Sequence, residues 1–293
     1  MVSENGSDEA ALLKSFENLQ SLDPTGAKLR LKEAKAVMDG FGIPFWLRQG
    51  TCLGAVRDND FIPWDDDIDL GCVIGLNGVT EDQIDPIVDG FRERGYFVEV
   101  EYSDREISAC MIKNSIRTDL TFFHIIDDAI FHFPMIWMPA RLFADLKQIE
   151  FMGDSYFVPN PPEEYLGTKY GPNWTTPKQD GYELDVFAQI AKAPAAILET
   201  APGHPQTKIQ ILDLHNEIVA DAEVSIVGVD DARTDGDGRV EFNLPFKDFY
   251  AVVIRHGNHE EILYQEIFTP GKTYVYTPDP ARPSGRYIAM REE

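Results

Sequence analysis

The residues best placed to do chemistry in this 293-residue chain lie in the run PWDDDIDLG, Pro63 to Gly71. On a strand, successive side chains alternate faces, so Asp67 and Asp69 project together, joined by Asp65 if the strand starts that early, while Trp64, Ile68 and Leu70 face the other way. Two carboxylates on one face repel each other unless a cation lies between them. Hard oxygen ligands at this spacing suit magnesium, which takes one or two carboxylates and completes its shell with water and substrate phosphates. The competing reading is a solvated acidic turn, because short acidic motifs are common. Two neighbours favour the metal: the carboxylates sit in an apolar strand, and upstream Gln49-Gly50-Thr51 is a small-residue turn that can bring backbone N–H groups and a hydroxyl to a phosphate.

Other residues enter on their own grounds. Asp119 is a charge inside the strand-like IRTDLTFF, costly to bury without a cation or donor; the alternative is a strand-end or edge aspartate. Arg57 either pairs with Asp58 or Asp60 at the surface or reaches a diphosphate with its planar fork. Lys113 either neutralises phosphate or is a solvated strand-end lysine. Trp64, Tyr170 and Trp174 could stack on a base or sugar or cage a quaternary ammonium group; core packing is the better reading of Trp64, whereas Tyr170 and Trp174, beside Gly171 and Pro172, are more open to a ligand. His124 reads as a core histidine, with no second histidine spaced for metal ligation.

Carboxylates on a strand behind a glycine-containing turn are the pattern of a nucleotidyltransferase-fold active site. The longer run GTCLGAVRDNDFIPWDDDIDLG, Gly50 to Gly71, resembles the signature of the LicD and fukutin family. The likeness continues through RTDLTFF and VPNPPEEYLGTKYGPNW to Pro177, covering roughly residues 24–180, a stretch of single-domain size. The resemblance implies transfer of a phosphoalcohol group, of phosphocholine or polyol phosphate type, from a CDP-activated donor to a glycan hydroxyl, as in lipopolysaccharide or capsule biosynthesis. It implies Mg2+, with Mn2+ as a substitute, held by Asp67 and Asp69, with Asp65 as a third contact and Asp119 as the carboxylate from a neighbouring strand. Its GAVR pattern favours the diphosphate reading of Arg57. Gly50, Thr51, Arg57, Lys113, Tyr170 and Trp174 are then the expected substrate-binding positions. Two alternatives stay open: a nucleotidyltransferase that releases pyrophosphate through the same carboxylates, and a catalytically silent glycan-binding or scaffold protein.

The elements that must position these groups are legible in the periodicity. PTGAKLRLKEAKAVMDG reads as a helix with Asp23 as N-cap, Ala27, Leu31, Ala34 and Met38 on one face and Gly40 or Gly42 at its end. Thr80 and Gln83 form a capping-box pattern ahead of a helix with the stripe Ile84, Ile87, Val88 and Phe91. Strands are expected over 96–102, 107–113 and 116–126, and a further helix near Ala140 to Gln148. The expected architecture is α/β (α+β): an N-terminal extension over 1–23, a catalytic domain with a mixed sheet over 24–192, a linker over 193–205, and a small all-β sandwich over 206–293. The last is read from six short strands and resembles carboxypeptidase-regulatory or transthyretin-like modules. Its TDGDGRVEF segment fails the EF-hand register, with Arg233 at position 1 and Leu244 at position 12, so a hairpin turn is expected there.

Composition removes whole classes of function. A hydrophobic fraction of 43% with 26% charged residues is that of a globular chain. A net charge of -24, spread along the sequence, disfavours nucleic acid and anionic bilayers as partners, so any phosphate handled here needs a metal. Three cysteines, Cys52, Cys72 and Cys110, without CxxC spacing, argue against a disulfide framework or a structural zinc. With neither a secretory signal nor a membrane span legible, a cytoplasmic location is expected.

Overall fold

The computed structural model describes residues 6–133, 135–179, 182–187, 190, 192, 205–281 and 286–293. Asp8 caps helix α1 (Glu9–Glu17), its carboxylate accepting from the Ala11 N–H at 2.9 Å. This helix lies in the segment expected only as an extension. Asp23 caps α2 (Pro24–Phe41) in the same way, accepting from the Gly26 N–H at 2.8 Å, with Pro24 preset for the first turn and Gly42, at φ +69°, in the left-handed cap position. Ala27, Leu31, Ala34 and Met38 are buried, as the periodicity predicts.

The chain continues through β1 (Trp46–Leu47), α3 (Gln49–Arg57), β2 (Asp67–Val73), α4 (Ile84–Glu93), β3 (Phe97–Tyr102), β4 (Glu106–Lys113) and β5 (Ile116–Phe123). It then forms a two-stranded ribbon, β6 (Ala129–His132) with β7 (Ile136–Pro139), followed by α5 (Arg141–Ala144), β8 (Lys147–Phe151), β9 (Asp154–Val158) and α6 (Pro162–Tyr170). Seven strands make one mixed sheet in the order β3-β4-β5-β2-β1-β9-β8, with β2 parallel to β5 and β1 parallel to β9. The mixed α/β class expected from sequence is the one observed. The Thr80–Gln83 box forms at the 3-10 turn Glu81–Gln83, and Ile84, Ile87, Val88 and Phe91 of α4 are buried.

Three expectations need correction. The glycine-containing segment before the acidic strand is not a turn but the nine-residue helix α3. The helix near Ala140 to Gln148 is only the four residues of α5, after which the chain enters β8. Trp64 precedes β2 and is half-buried rather than part of the core.

The chain divides into two compact units, Met1–Phe131 with Met138–Gln179, and His132–Trp137 with Asp180–Glu293. In the second unit a four-stranded sheet runs Arg239–Phe242, Thr207–Ile211, Thr273–Tyr276, Arg291–Glu292, and a five-stranded sheet runs Asp230–Arg233, Glu223–Ile226, Asp248–His256, His259–Phe268, Arg286–Tyr287. Phe268 of one sheet packs on Tyr274 of the other, ring centroids 4.7 Å apart. The turn at Asp235–Gly238 is closed by the Asp235 carboxylate, which accepts from the Asp237 and Arg239 N–H groups; the strands it joins belong to different sheets, so it is a turn but not the expected hairpin. The expected linker residues 193–204 lie outside the described residues.

Candidate active site

In the parallel pairing of β2 with β5, Asp67 stands opposite Arg117 and Asp69 opposite Asp119. Residues in register on neighbouring strands point the same way, so one sheet face gathers three carboxylates and a guanidinium. Carboxylate oxygens of Asp67, Asp69 and Asp119 lie within 4.8 Å of one another, and those of Asp65, Asp66 and Asp67 form a second such group. Ile68 and Leu70, on the opposite face, are fully buried.

Helix α3 begins against this face. Arg48, its N-cap residue and only 9% exposed, donates from Nη2 to Asp69 Oδ1 at 2.8 Å, with its guanidinium carbon 5.8 Å from the centre of the Phe123 ring. Gln49 donates from Nε2 to the same oxygen at 3.1 Å, and its backbone N–H donates to the Tyr165 hydroxyl of α6 at 3.0 Å. The Thr51 hydroxyl accepts from the Asp69 N–H at 2.9 Å, pinning the helix to the strand. Gly50 has a steric reason: a Cβ there would stand 2.3 Å from Asp65 Oδ2, so only glycine lets that carboxylate lie on the first turn of α3, where the helix dipole favours negative charge. Below these groups Trp46 packs against Phe143, Tyr165 and Phe123 at 4.7, 5.4 and 6.2 Å between centroids, a rigid aromatic floor.

On the other flank Arg117 donates from Nη2 to Asp66 at 2.7 Å and to Asp67, and from Nε to Asp67 Oδ2 at 3.1 Å; its Nε is 3.4 Å from Asp119 Oδ2. From α1, the Phe16 ring lies 4.5 Å from the guanidinium carbon, and the Ser15 carbonyl accepts from Nη1 at 3.3 Å.

This crowding shifts the acids upward. Burial, reinforced by the charges of Asp67 and Asp119 and opposed by Arg48, pushes Asp69 up to about 8. Burial and then Asp67 push Asp119 up to about 7, against the pull of Arg117 and Arg48. Burial also raises Asp65 and Asp66. The Oδ1 atom of Asp119 and the Oδ2 atom of Asp65 are buried without a hydrogen-bond partner. Charged oxygens held close, raised in pKa and left short of donors are what a hard divalent cation relieves, so the residues present fit one.

The structure thus brings Asp65, Asp67, Asp69, Asp119, Gly50 and Thr51 to one place, although the Thr51 hydroxyl is engaged by the strand and is fully buried. Other expected positions are elsewhere. Arg57 ends α3, about 12 Å along the axis from its first turn at 1.5 Å per residue, and forks onto Asp58 at 2.6–3.0 Å. Lys113 sits on the opposite face of the sheet, bonded to Glu33 of α2 at 3.0 and 3.1 Å. Tyr170 is the last residue of α6 and only 7% exposed, which removes it as an open stacking platform; Trp174 is half-buried in the turn that follows. The sequence analysis includes Gln49 only for its backbone and does not single out Arg48, Asp66, Arg117 or Tyr165. A signal existed for Arg117, two residues before Asp119 and therefore on the same strand face.

Residues 42–161 match the LicD/FKTN/FKRP nucleotidyltransferase domain, a segment that contains every carboxylate of the site, Arg48 and Arg117 but not α1 or the second unit's sheets. The chain is 28% identical over 181 residues to ribitol-5-phosphate transferase FKTN of Mus musculus, covering 57% of this chain and 38% of that one. It is 29% identical over 155 residues to ribitol 5-phosphate transferase FKRP of Mus musculus, 46% of this chain and 29% of that one. A further relative is an uncharacterized protein of Rickettsia typhi, 27% identical over 151 residues, 49% of this chain and 45% of that one. The chain therefore spans well under half the length of the two transferases it matches. Among solved structures, ANT(2″)-Ia in complex with adenylyl-2″-tobramycin aligns with 45% of this chain and 68% of its own at 16% identity and a TM-score of 0.32, too low to bear on function.

Proposed function

We propose that the chain is a divalent-metal-dependent phosphotransferase that moves a phosphoalcohol unit from a CDP-activated alcohol to a glycan hydroxyl. The observation that carries this reading is the meeting of Asp67, Asp69 and Asp119 across two parallel strands, within a segment that matches the LicD/FKTN/FKRP nucleotidyltransferase domain; that the chain is similar to proteins named as ribitol phosphate transferases supports it. Asp67, Asp69 and Asp119 would hold Mg2+ or Mn2+, with Asp65 beside them. The ion would supply positive charge to a diphosphate that this acidic chain otherwise repels.

The chain's own residues account for the rest. Arg48 and Gln49 fix one oxygen of Asp69, and Arg117 fixes one oxygen of Asp67, so the carboxylate positions are set before substrate arrives. Asp119, with one oxygen buried without a hydrogen-bond partner, would either orient the ion or take the acceptor hydroxyl's proton. The acceptor oxygen forms a bond to the β-phosphorus while the bond from that phosphorus to the bridging oxygen breaks, and CMP leaves with the electron pair. Among the described residues no helix is long and apolar enough to cross a membrane. The proposed setting is cytoplasmic, where nucleotide donors are made.

The test is a panel of CDP-alcohols, CDP-ribitol included, incubated with the chain, Mg2+ and glycan acceptors. CMP release that needs both metal and acceptor, and that Asp67→Asn removes, supports the reading. Absence of CMP release from every donor, with the acidic site intact, contradicts it.

A further inference from the structure

A CDP-alcohol has three parts, a base, a diphosphate and an alcohol, and the acidic face answers to the diphosphate alone. Tyr170, expected to stack on a base, is closed off. Another ring stands open at the edge of that face. Phe16 of α1 is 48% exposed, and Arg117 lies over one side of it, the guanidinium carbon 4.5 Å from the ring centre. The same guanidinium bonds Asp66 at 2.7 Å and Asp67 at 3.1 Å, so one side chain separates the ring from the carboxylates. Leu13, one turn earlier on the same side of α1, is 53% exposed and extends the apolar surface. The arm that carries both residues is tied to the site at its two ends. The Ser115 N–H donates to the Gly6 carbonyl at 2.8 Å and the Asn114 N–H to the Ser7 hydroxyl at 3.0 Å, at the turn between β4 and β5. Beyond α1, the Leu22 N–H donates to the Asp65 carbonyl at 2.8 Å. Between them the Ser15 carbonyl accepts from Arg117 Nη1 at 3.3 Å. The distance of the ring from the carboxylates is therefore set by the fold.

We infer that Phe16 is the stacking platform for the base of the nucleotide donor, so that the nucleoside lies toward α1 and the alcohol away from it. The base is the flat, weakly polar part of such a donor, and any base can stack on an aromatic ring because each has a π-face. Polyol and glycan hydroxyls are better left in water and gain little from Leu13 and Phe16. A quaternary ammonium group also seeks aromatic faces, but Arg117 already sets a full positive charge against this ring and would repel a second cation. Helix α1 lies outside residues 42–161, so the base would be held by a part of the chain beyond the segment that matches the family domain.

This inference rests on the nucleotide-donor reading above, and two ligands separate the failure of one from the failure of the other. CMP and ribose 5-phosphate share a sugar and a phosphate and differ by the base. Their binding to the full chain in saturating Mg2+ is measured by calorimetry, with circular dichroism to confirm that each variant is folded. The wild type should bind CMP more tightly than ribose 5-phosphate. Phe16→Ala should weaken CMP by about 5- to 100-fold, the worth of one stacked base, and ribose 5-phosphate by less than about twofold. Phe16→Trp keeps a platform and should keep the affinity for CMP, and its added indole fluorescence, read over the wild-type background, should be quenched by CMP but not by ribose 5-phosphate. A folded Phe16→Ala that binds CMP as the wild type does, or that loses both ligands equally because Arg117 has shifted, overturns the inference and leaves the donor reading intact. A wild type that binds CMP no better than ribose 5-phosphate does the same. No binding of CMP by the wild type overturns the donor reading, and this inference with it. Should Phe16→Ala fail to fold, the quenching in Phe16→Trp decides.

Discussion

Removing either of two neighbouring aspartates should have opposite effects on the metal-free protein. Asp119 is held at about 7, some three units above an ordinary aspartate, chiefly because its charged form is desolvated beside Asp67. At about 1.4 kcal/mol per unit, charging it in the folded state costs up to ~4 kcal/mol above pH 7. Asp119→Asn removes that cost but also loses the 3.4 Å contact to Arg117 and leaves an amide in a donor-poor pocket, a penalty of roughly 1–3 kcal/mol. The net expectation is a gain of about 1–3 kcal/mol, or about 2–12 °C in Tm. Because the folded pKa is raised, wild-type stability is fully present below the unfolded value near 4 and falls as the pH rises to about 7. The mutational gain should therefore be absent near pH 4, grow to pH 7 and then level off. Asp69→Asn behaves otherwise: it disturbs the oxygen to which both the buried Arg48 and Gln49 donate, leaving a guanidinium N–H short of an acceptor, and should cost about 1–3 kcal/mol. Thermal denaturation in EDTA from pH 4 to 8 measures both. A gain for Asp119→Asn that is independent of pH, or a gain for Asp69→Asn, would refute the assigned electrostatics.

Three further outcomes follow from the same geometry. Gly50→Ala should cost about 1–3 kcal/mol and most of the turnover, because its Cβ would stand 2.3 Å from Asp65 Oδ2; thermal melts and CMP release check this together. Lys113→Met should leave turnover within about twofold of wild type, since Lys113 faces Glu33 on the far side of the sheet, and a tenfold loss in kcat/KM would place it in the site after all. Mg2+ binding at pH 7 should release protons, because Asp69 and Asp119 lie at about 8 and 7; calorimetry in buffers of different ionisation enthalpy would show no release if these acids were already charged.

The parts of this architecture that show in the sequence are those governed by period and capping. The 3.6-residue stripes of α2 and α4, with Asp23 and the Thr80–Gln83 box, place both helices, and the two-residue alternation through Asp67, Ile68, Asp69 and Leu70 places the carboxylates on one face of β2. Helix α3 does not show. Gly50, Thr51, Gly54 and Val56 are weak helix formers, and what makes the helix is tertiary: Gly50 yields space to Asp65, and Gly54 lies against the backbone of Asp60 and Ile62. The partners of the site are hidden for a related reason. Arg48 meets Asp69, and the Tyr165 hydroxyl meets the Gln49 N–H, only through strand pairing and α3 packing on α6, and no local spacing encodes those contacts; of these partners Arg117 shows in the spacing, two residues before Asp119. Lys113 and Arg57 failed because proximity in sequence says nothing about which sheet face, or which end of a helix, a side chain occupies.

In the proposed reaction the bond broken lies on the alcohol side of the diphosphate bridge. Two preparations of a CDP-alcohol accepted by the chain, one radiolabelled at the α-phosphate and one at the β-phosphate, should be incubated with Mg2+ and the glycan acceptor. The β-label should move to the glycan while the α-label is recovered in CMP. Transfer of α-label to the acceptor, with the β-label released on a phosphorylated alcohol, would contradict it and identify the chain as a nucleotidyltransferase.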